Sequence, residues 1–256
     1  VTDILSILSG AAVGLILALI GGGGSILATP ALLYIVGVAN PHVAIGTSAL
    51  AVSVNAFANF INHARRGNVK WRCAAIFAGA GVVGAALGAA LGKLTDARIL
   101  LPLFAVLMIV IGVRMLRTQS HEGDADVRLS ATNAPRLMFA GVIVGALSGF
   151  FGIGGGFLIV PGLIAASGMT MIHAVGSSLF AVGAFGATTA TSYAIDGLID
   201  WRVALLFIGG GLIGGALGAM LSSRLAKQKG ALQRLFAIVV FAVAAYMLWR
   251  SLGASV

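Results

Sequence analysis

Apolar residues gather into ten runs along the chain, at about 4–20, 25–38, 42–62, 73–92, 99–116, 137–151, 156–168, 172–193, 203–222 and 232–249. The runs show no polar alternation of the kind a barrel strand needs, and most approach the roughly 20 residues with which a helix crosses a bilayer. The pattern predicts an all-α polytopic membrane protein of about ten segments. The one long polar interval, 118–135, separates a first set of five runs (1–117) from a second (136–256), and is expected to be a solvated cytoplasmic linker. The first run lacks the basic leader of a signal peptide and is read as part of the mature chain.

The short second and seventh runs each follow a glycine cluster: Gly21-Gly22-Gly23-Gly24-Ser25 leads to Pro30, and Gly152-Ile153-Gly154-Gly155-Gly156 leads to Pro161. Each glycine costs a helix about 1 kcal/mol relative to alanine, so the apolar helix is expected to stop there and restart beyond, leaving the backbone bare. Other positions repeat at a constant offset of 130. Gly67, Trp71, Arg72, Gly79, Gly81, Gly84 and Gly88 return as Gly197, Trp201, Arg202, Gly209, Gly211, Gly214 and Gly218, and Gly46-Thr47-Ser48 returns as Gly176-Ser177-Ser178. The chain is an internal duplication, so a site in one half predicts a partner in the other.

Composition sharpens this picture. With 59% hydrophobic and 9% charged residues, the 256-residue chain has too few charges to cover a water-soluble surface. The 16 basic against 7 acidic residues are explained by topology, with no nucleic-acid partner expected, because they fall almost wholly between or at the ends of apolar runs. Five crossings per half put Arg65, Arg66, Lys70, Arg72, Arg114, Arg117, Arg128, Arg136, Arg224, Lys227, Lys229 and Arg234 on one side, leaving Lys93, Arg98, Arg202 and Arg250 on the other. That 12 to 4 division favours an inverted 5+5 repeat with the basic side cytoplasmic and both termini outside.

Paired glycine-interrupted segments in two halves point to a transporter's binding site. Helices restarting after Gly24 and Gly155, or opening at Gly46 and Gly176, offer free N–H groups and about half a positive charge at their N-termini. Such ends hold anions. The expected substrate-binding set is Gly23, Gly24, Ser25, Gly46, Thr47, Ser48 and Asn55 in the first half, with Gly154, Gly155, Gly156, Gly176, Ser177 and Ser178 in the second. From Ser48 a polar stripe continues through Asn55, Asn59 and Asn62 on one helical face, and its second-half counterpart is Ser178, Phe185, Thr189 and Ser192. Such residues also bind helices together in lipid, at about 0.6 to 2 kcal/mol each. The hydroxyls of Thr47, Ser48, Ser177 and Ser178, placed symmetrically beside the breaks, are read instead as substrate contacts, with Thr47 and Ser177 touching one ligand.

Other chemistry is not expected. Cys73 is alone, the four histidines lack metal-ligand spacing, and neither a zincin motif nor a paired intramembrane carboxylate occurs, so no metal, cofactor or catalytic residue is anticipated. Gly21–Ser25 is not followed by the Lys-Ser/Thr of a phosphate-cradling loop. His63 is the histidine singled out for function, since imidazole titrates near neutrality.

The two glycine-rich segments with Pro30 and Pro161, followed by Gly46-Thr47-Ser48 and Gly176-Ser177-Ser178, resemble the sulfite exporter TauE/SafE family, also known as the toluene sulfonate uptake permeases. The resemblance covers essentially the whole chain. It implies a multi-pass permease of a bacterial-type plasma membrane that moves sulfur-containing anions such as sulfite, sulfonates or sulfoacetate. The expected partners are therefore a small anionic substrate and membrane lipid. The rival functions are an uncoupled, channel-like anion facilitator and a membrane enzyme acting on lipid-linked anions.

Overall fold

The computed structural model describes residues 2–96, 99–100, 129–151 and 156–225, together with 103, 106, 107, 109, 110, 113, 123, 124, 127, 238, 241, 242 and 245. Most of the fifth and tenth apolar runs, part of the linker, and Gly154 and Gly155 lie outside the described residues. Within them the chain forms helices α1 (Thr2–Ile20), α2 (Ala28–Ala31), α3 (Pro41–Arg65), α4 (Trp71–Leu94), α5 (Ala134–Phe151), α6 (Gly156–Ser167), α7 (Met171–Ile195) and α8 (Trp201–Leu225). Helices α1, α3, α4, α5, α7 and α8 are long and apolar enough to cross a membrane. Among the described residues the β pairing is one isolated bridge, Asp124 with Met169.

The first glycine cluster differs from the open break expected of it. Gly21 takes a left-handed φ of 69° and ends α1, but Gly21–Leu27 then winds into a 3-10 helix. Tight winding gives the bare backbone internal hydrogen bonds where lipid supplies none. The path continues through α2, which contains Pro30, and a π turn at Leu32–Val36 before Gly37 reverses it with φ 86°. Asn40 then caps α3 by accepting the His42 N–H at 2.9 Å, with Pro41 in the first turn where its missing N–H costs nothing.

The largest helix interfaces join the halves: α4 lies along α5, and α1 along α8. Both pairs run parallel, because Phe77, Gly81 and Ala85 meet Gly141, Gly145 and Gly149 in order, as Phe207 and Gly211 meet Gly10 and Gly14. A Cβ at Gly14 or Gly145 would sit on the carbonyl oxygen of Gly211 or Gly81, so these glycines set the interhelical approach. By contrast α3 and α7 run antiparallel: Ala49 lies by Gly186, Ser53 by Gly183, and Phe60 by Phe180.

These directions sort the charges into two ends. Arg65, Arg66, Lys70, Arg72 and Arg136 fall at the end where α3 finishes and α4 and α5 begin. Asp3, Lys93, Asp196, Asp200 and Arg202 fall at the opposite end, where Asp3 pairs with Arg202 at 2.7 Å and Asp196 with Lys93 at 2.6 Å.

Candidate functional site

The two Gly-Thr/Ser-Ser motifs do the same work on opposite sides of the bundle. At Gly46 the absent side chain admits the Leu198 carbonyl, and at Gly176 it admits the Asn68 carbonyl. One residue on, the Thr47 hydroxyl accepts the Asp200 N–H at 2.9 Å, and the Ser177 hydroxyl accepts the Lys70 N–H at 2.9 Å. Each motif thus holds the tight loop that precedes the fourth apolar run of the other half. Thr47 and Ser177, expected to touch one ligand, are not brought together. With Ala49 beside Gly186, the antiparallel register separates them by on the order of 15 Å along the bundle.

The third residue of each motif grips the irregular segments instead. Ser178 donates to the Val175 carbonyl at 2.8 Å and accepts the Gly22 N–H at 3.1 Å. Ser48 donates to the Ile45 carbonyl at 2.9 Å and shares a 2.8 Å hydrogen bond with Thr29. Between these grips the halves cross. Ser25 donates to the Gly22 carbonyl at 2.8 Å and accepts at 3.1 Å the N–H of Gly156, the first residue of α6. Gly22 and Gly156 meet backbone to backbone, and a Cβ on either would collide with the other. Ser25, Ser48 and Ser178 are fully buried. Of the expected site residues, the structure therefore gathers Ser25, Gly156 and Ser178 around Gly22, and sets Ser48 beside Thr29.

Polar stripes leave this centre in both directions. On α3, Asn55, Asn59 and His63 are buried, and Arg66 follows at the helix end. Asn59 donates to the Asn55 carbonyl at 2.9 Å, a His63 ring nitrogen lies 3.3 Å from the Ala18 carbonyl, and Arg66 donates to the Ala219 carbonyl at 2.6 Å. At offset 130, α7 carries Phe185, Thr189 and Tyr193, with Asp196 at its end. Lys93 donates to Asp196 and, at 3.2 Å, to the Ser192 carbonyl, and lies 6.0 Å above the Tyr193 ring. The stripes turn onto His63 and Tyr193, since Asn62 and Ser192 are only half-buried. Among the described residues, both amide atoms of Asn55, His63 Nδ1, the Thr189 hydroxyl and the Tyr193 hydroxyl have no hydrogen-bond partner.

The sequence model of the family described as sulfite exporter TauE/SafE matches residues 6–247. The chain belongs to this family. It is 53% identical to a probable membrane transporter protein of Xylella fastidiosa (strain Temecula1) over 97% of this chain and 95% of that protein. It is 27% identical to the probable membrane transporter protein YunE of Bacillus subtilis over 87% of this chain and 89% of that one. No solved structure matches it. As a member of the TauE/SafE family with six long apolar helices, it is a multi-pass membrane transporter.

In this TauE/SafE chain, reading the residues in order missed Tyr193 and Lys93. Tyr193 was reachable from the repeat, since His63 plus the offset lands on it. Lys93 was not, because its partner Asp196 lies on another helix. Among the described residues, no group of His, Cys, Asp and Glu is placed to hold a metal ion.

Proposed function

We propose that this TauE/SafE transporter moves small sulfur oxyanions or sulfonates, such as sulfite or sulfoacetate, through a site centred on the crossing of Gly22 and Ser25 with Gly156. The observation that carries the reading is the pair of buried glycine N–H groups, on Gly22 and Gly156, each answered by a serine oxygen from the other half. A serine oxygen there stands in for an oxyanion oxygen, and the hydroxyls of Ser25 and Ser178 add further donors when they turn from the Gly22 and Val175 carbonyls to an anion that takes those N–H groups. Binding by neutral donors suits a substrate that must also leave. In this reading Thr47 and Ser177 close the two ends and do not touch the ligand.

The transporter is read as ten membrane segments in an inverted 5+5 repeat in a bacterial-type plasma membrane, and as a permease without enzymatic chemistry. The antiparallel course of the equivalent helices α3 and α7 supports the inversion. Helices α4 and α5 run the same way, which supports an odd number of crossings per half. The basic end is then cytoplasmic and both termini lie outside. Cysteines placed singly at Asn68 and Gly197 in a Cys73→Ala background test this: outside reagent should label position 197 and spare position 68, and the reverse result refutes it.

The binding test is titration of purified protein with sulfite, sulfate, thiosulfate and small sulfonates. Ser25→Ala and Ser178→Ala should weaken the best ligand by about 1 to 3 kcal/mol, the cost of a lost buried hydrogen-bond partner. Parent-like binding by both variants, or no binding across the panel, would reject the site or the substrate class respectively. Saturable counterflow in liposomes separates a transporter from a channel-like facilitator.

A further inference from the structure

Apart from His42 Nδ1, at the start of α3 where its ring stacks on Tyr193, the unpartnered buried polar atoms on α3 and α7 follow a rule. Asn55, His63, Thr189 and Tyr193 are each at least 99% buried, and they belong to two stripes related by the repeat, Asn55–Asn59–His63–Arg66 and Phe185–Thr189–Tyr193–Asp196. If these side chains served to bind helices together they would bond across a helix seam. Opposite most of them are residues with no side chain to bond: Gly211 faces the Asn55 amide, Gly215 faces Asn59, and Ala89 packs with Tyr193, while His63 alone of the four reaches across a seam, to the Ala18 carbonyl, and still leaves Nδ1 unpaired. A polar group unpaired at membrane depth is tolerated where it lines a path that water or a ligand uses.

Both stripes begin at the middle of the bundle. Ser53 donates to the Gly183 carbonyl at 2.8 Å, and 53 and 183 are the same position of the two halves. Ser25 and Gly156, equivalent in the alignment that matches Pro30 with Pro161, also touch. Contacts between equivalent residues lie on the pseudo-twofold axis, so the Ser53 contact and the glycine crossing share it. Asn55 and Phe185 flank that axis. From there one stripe runs along the α3/α8 seam to the basic end, and the other along the α7/α4 seam to the opposite end.

We propose that the two stripes are half-routes by which the anion passes between each end of the bundle and the central crossing, opened alternately by parting the α3/α8 seam or the α7/α4 seam. This rests on the transporter reading above. Donors dominate the basic half-route, where the Asn55 and Asn59 amides and His63 lead to an Arg66 that has no carboxylate partner among the described residues. The other half-route offers the hydroxyls of Thr189 and Tyr193 beneath the Lys93 ammonium, and is stopped at mid-depth by the Phe185 ring.

Single cysteines in a Cys73→Ala background test the half-routes with the sulfonate-bearing, membrane-impermeant reagent 2-sulfonatoethyl methanethiosulfonate, applied to intact cells and to inverted vesicles. Asn59→Cys should react about tenfold faster than the outward-facing Val54→Cys when reagent meets the basic end, as expected of a polar path that concentrates anions. Thr189→Cys should outpace the exposed Thr191→Cys by a similar factor, about tenfold, from the other side. His63→Cys and Tyr193→Cys repeat the comparison should either first variant fail to fold. Parity with the controls, labelling of both stripes from one side only, or equal rates with a trimethylammonium analogue would each overturn the proposal. Labelling needs no transported substrate, so half-routes that label while sulfite and sulfonate uptake fail would discard the substrate class and keep the routes. Uptake without labelling would do the reverse.

Discussion

The two ends of the bundle make matching backbone contacts and differ in charge. At the basic end, Ser177 holds the loop before Trp71; at the other, Thr47 holds the loop before Trp201, and the two hydrogen bonds have the same length, 2.9 Å. The stripes behind them differ. Arg66 ends one and Asp196 the other, and among the described residues the ion pairs, Lys93 with Asp196 and Arg202 with Asp3, both lie at the second end. Duplication preserved the contacts that hold backbone to backbone, where a missing Cβ or a single hydroxyl decides fit. It left free the side chains of the two stripes.

The comparison breaks first at the glycine contacts if it is false. Gly14→Val and Gly145→Val each drive a side chain onto a carbonyl of the neighbouring helix, and overpacking of that kind costs about 3 kcal/mol. Thermal unfolding of both variants in detergent should fall together. Loss in one half alone would show that the halves are packed differently.

Next come the loop pins. Thr47→Val and Ser177→Ala each strand one backbone N–H, part-buried in both cases, and should each cost about 1 kcal/mol of stability. Anion affinity measured by titration should change less in these variants than in Ser25→Ala. A larger affinity loss at Thr47 or Ser177 would return both residues to the binding site.

Smaller effects sharpen the contrast in charge. Asp196→Asn leaves the partly exposed Lys93 unpaired, a change worth under about 1 kcal/mol for a pair so open to solvent. Its informative readout is anion uptake, which should rise at low salt as the Lys93 charge is freed; unchanged uptake would place Lys93 off the route. His63→Gln keeps a donor within reach of the Ala18 carbonyl and should alter stability by only about 0.5 kcal/mol. If His63 carries a proton with the anion, the pH dependence of uptake flattens in this variant while Tyr193→Phe retains it. A profile identical to the parent's would assign the proton to the anion itself.

Much of the fold was legible in the chain because a bilayer imposes a length and a composition on any helix that crosses it, and because glycine and tryptophan recur at a constant offset. The runs that became α1, α3, α4, α5, α7 and α8 needed nothing else to be recognised. That Ser25, Gly156 and Ser178 would lie at the breaks was legible for a related reason, since the repeat marked both of them. The role of Thr47 and Ser177 was not, because each hydroxyl finds its partner in a backbone N–H more than a hundred residues away. Nor did the order of residues reveal that the glycines would wind into a 3-10 helix, since that depends on the carbonyls and helices pressed against them.

By itself, then, the sequence determined the class of protein, its duplication and the places where helices must break, all consequences of local composition acting against lipid. Tertiary structure alone decided which polar side chains bond, which are left without partners, and which end of each stripe is charged. Lipid and protein interior are equally apolar, so no hydropathy pattern distinguishes the face a helix turns to its neighbours. That choice is made by small residues meeting backbone, as Gly14 meets Gly211 and Gly145 meets Gly81.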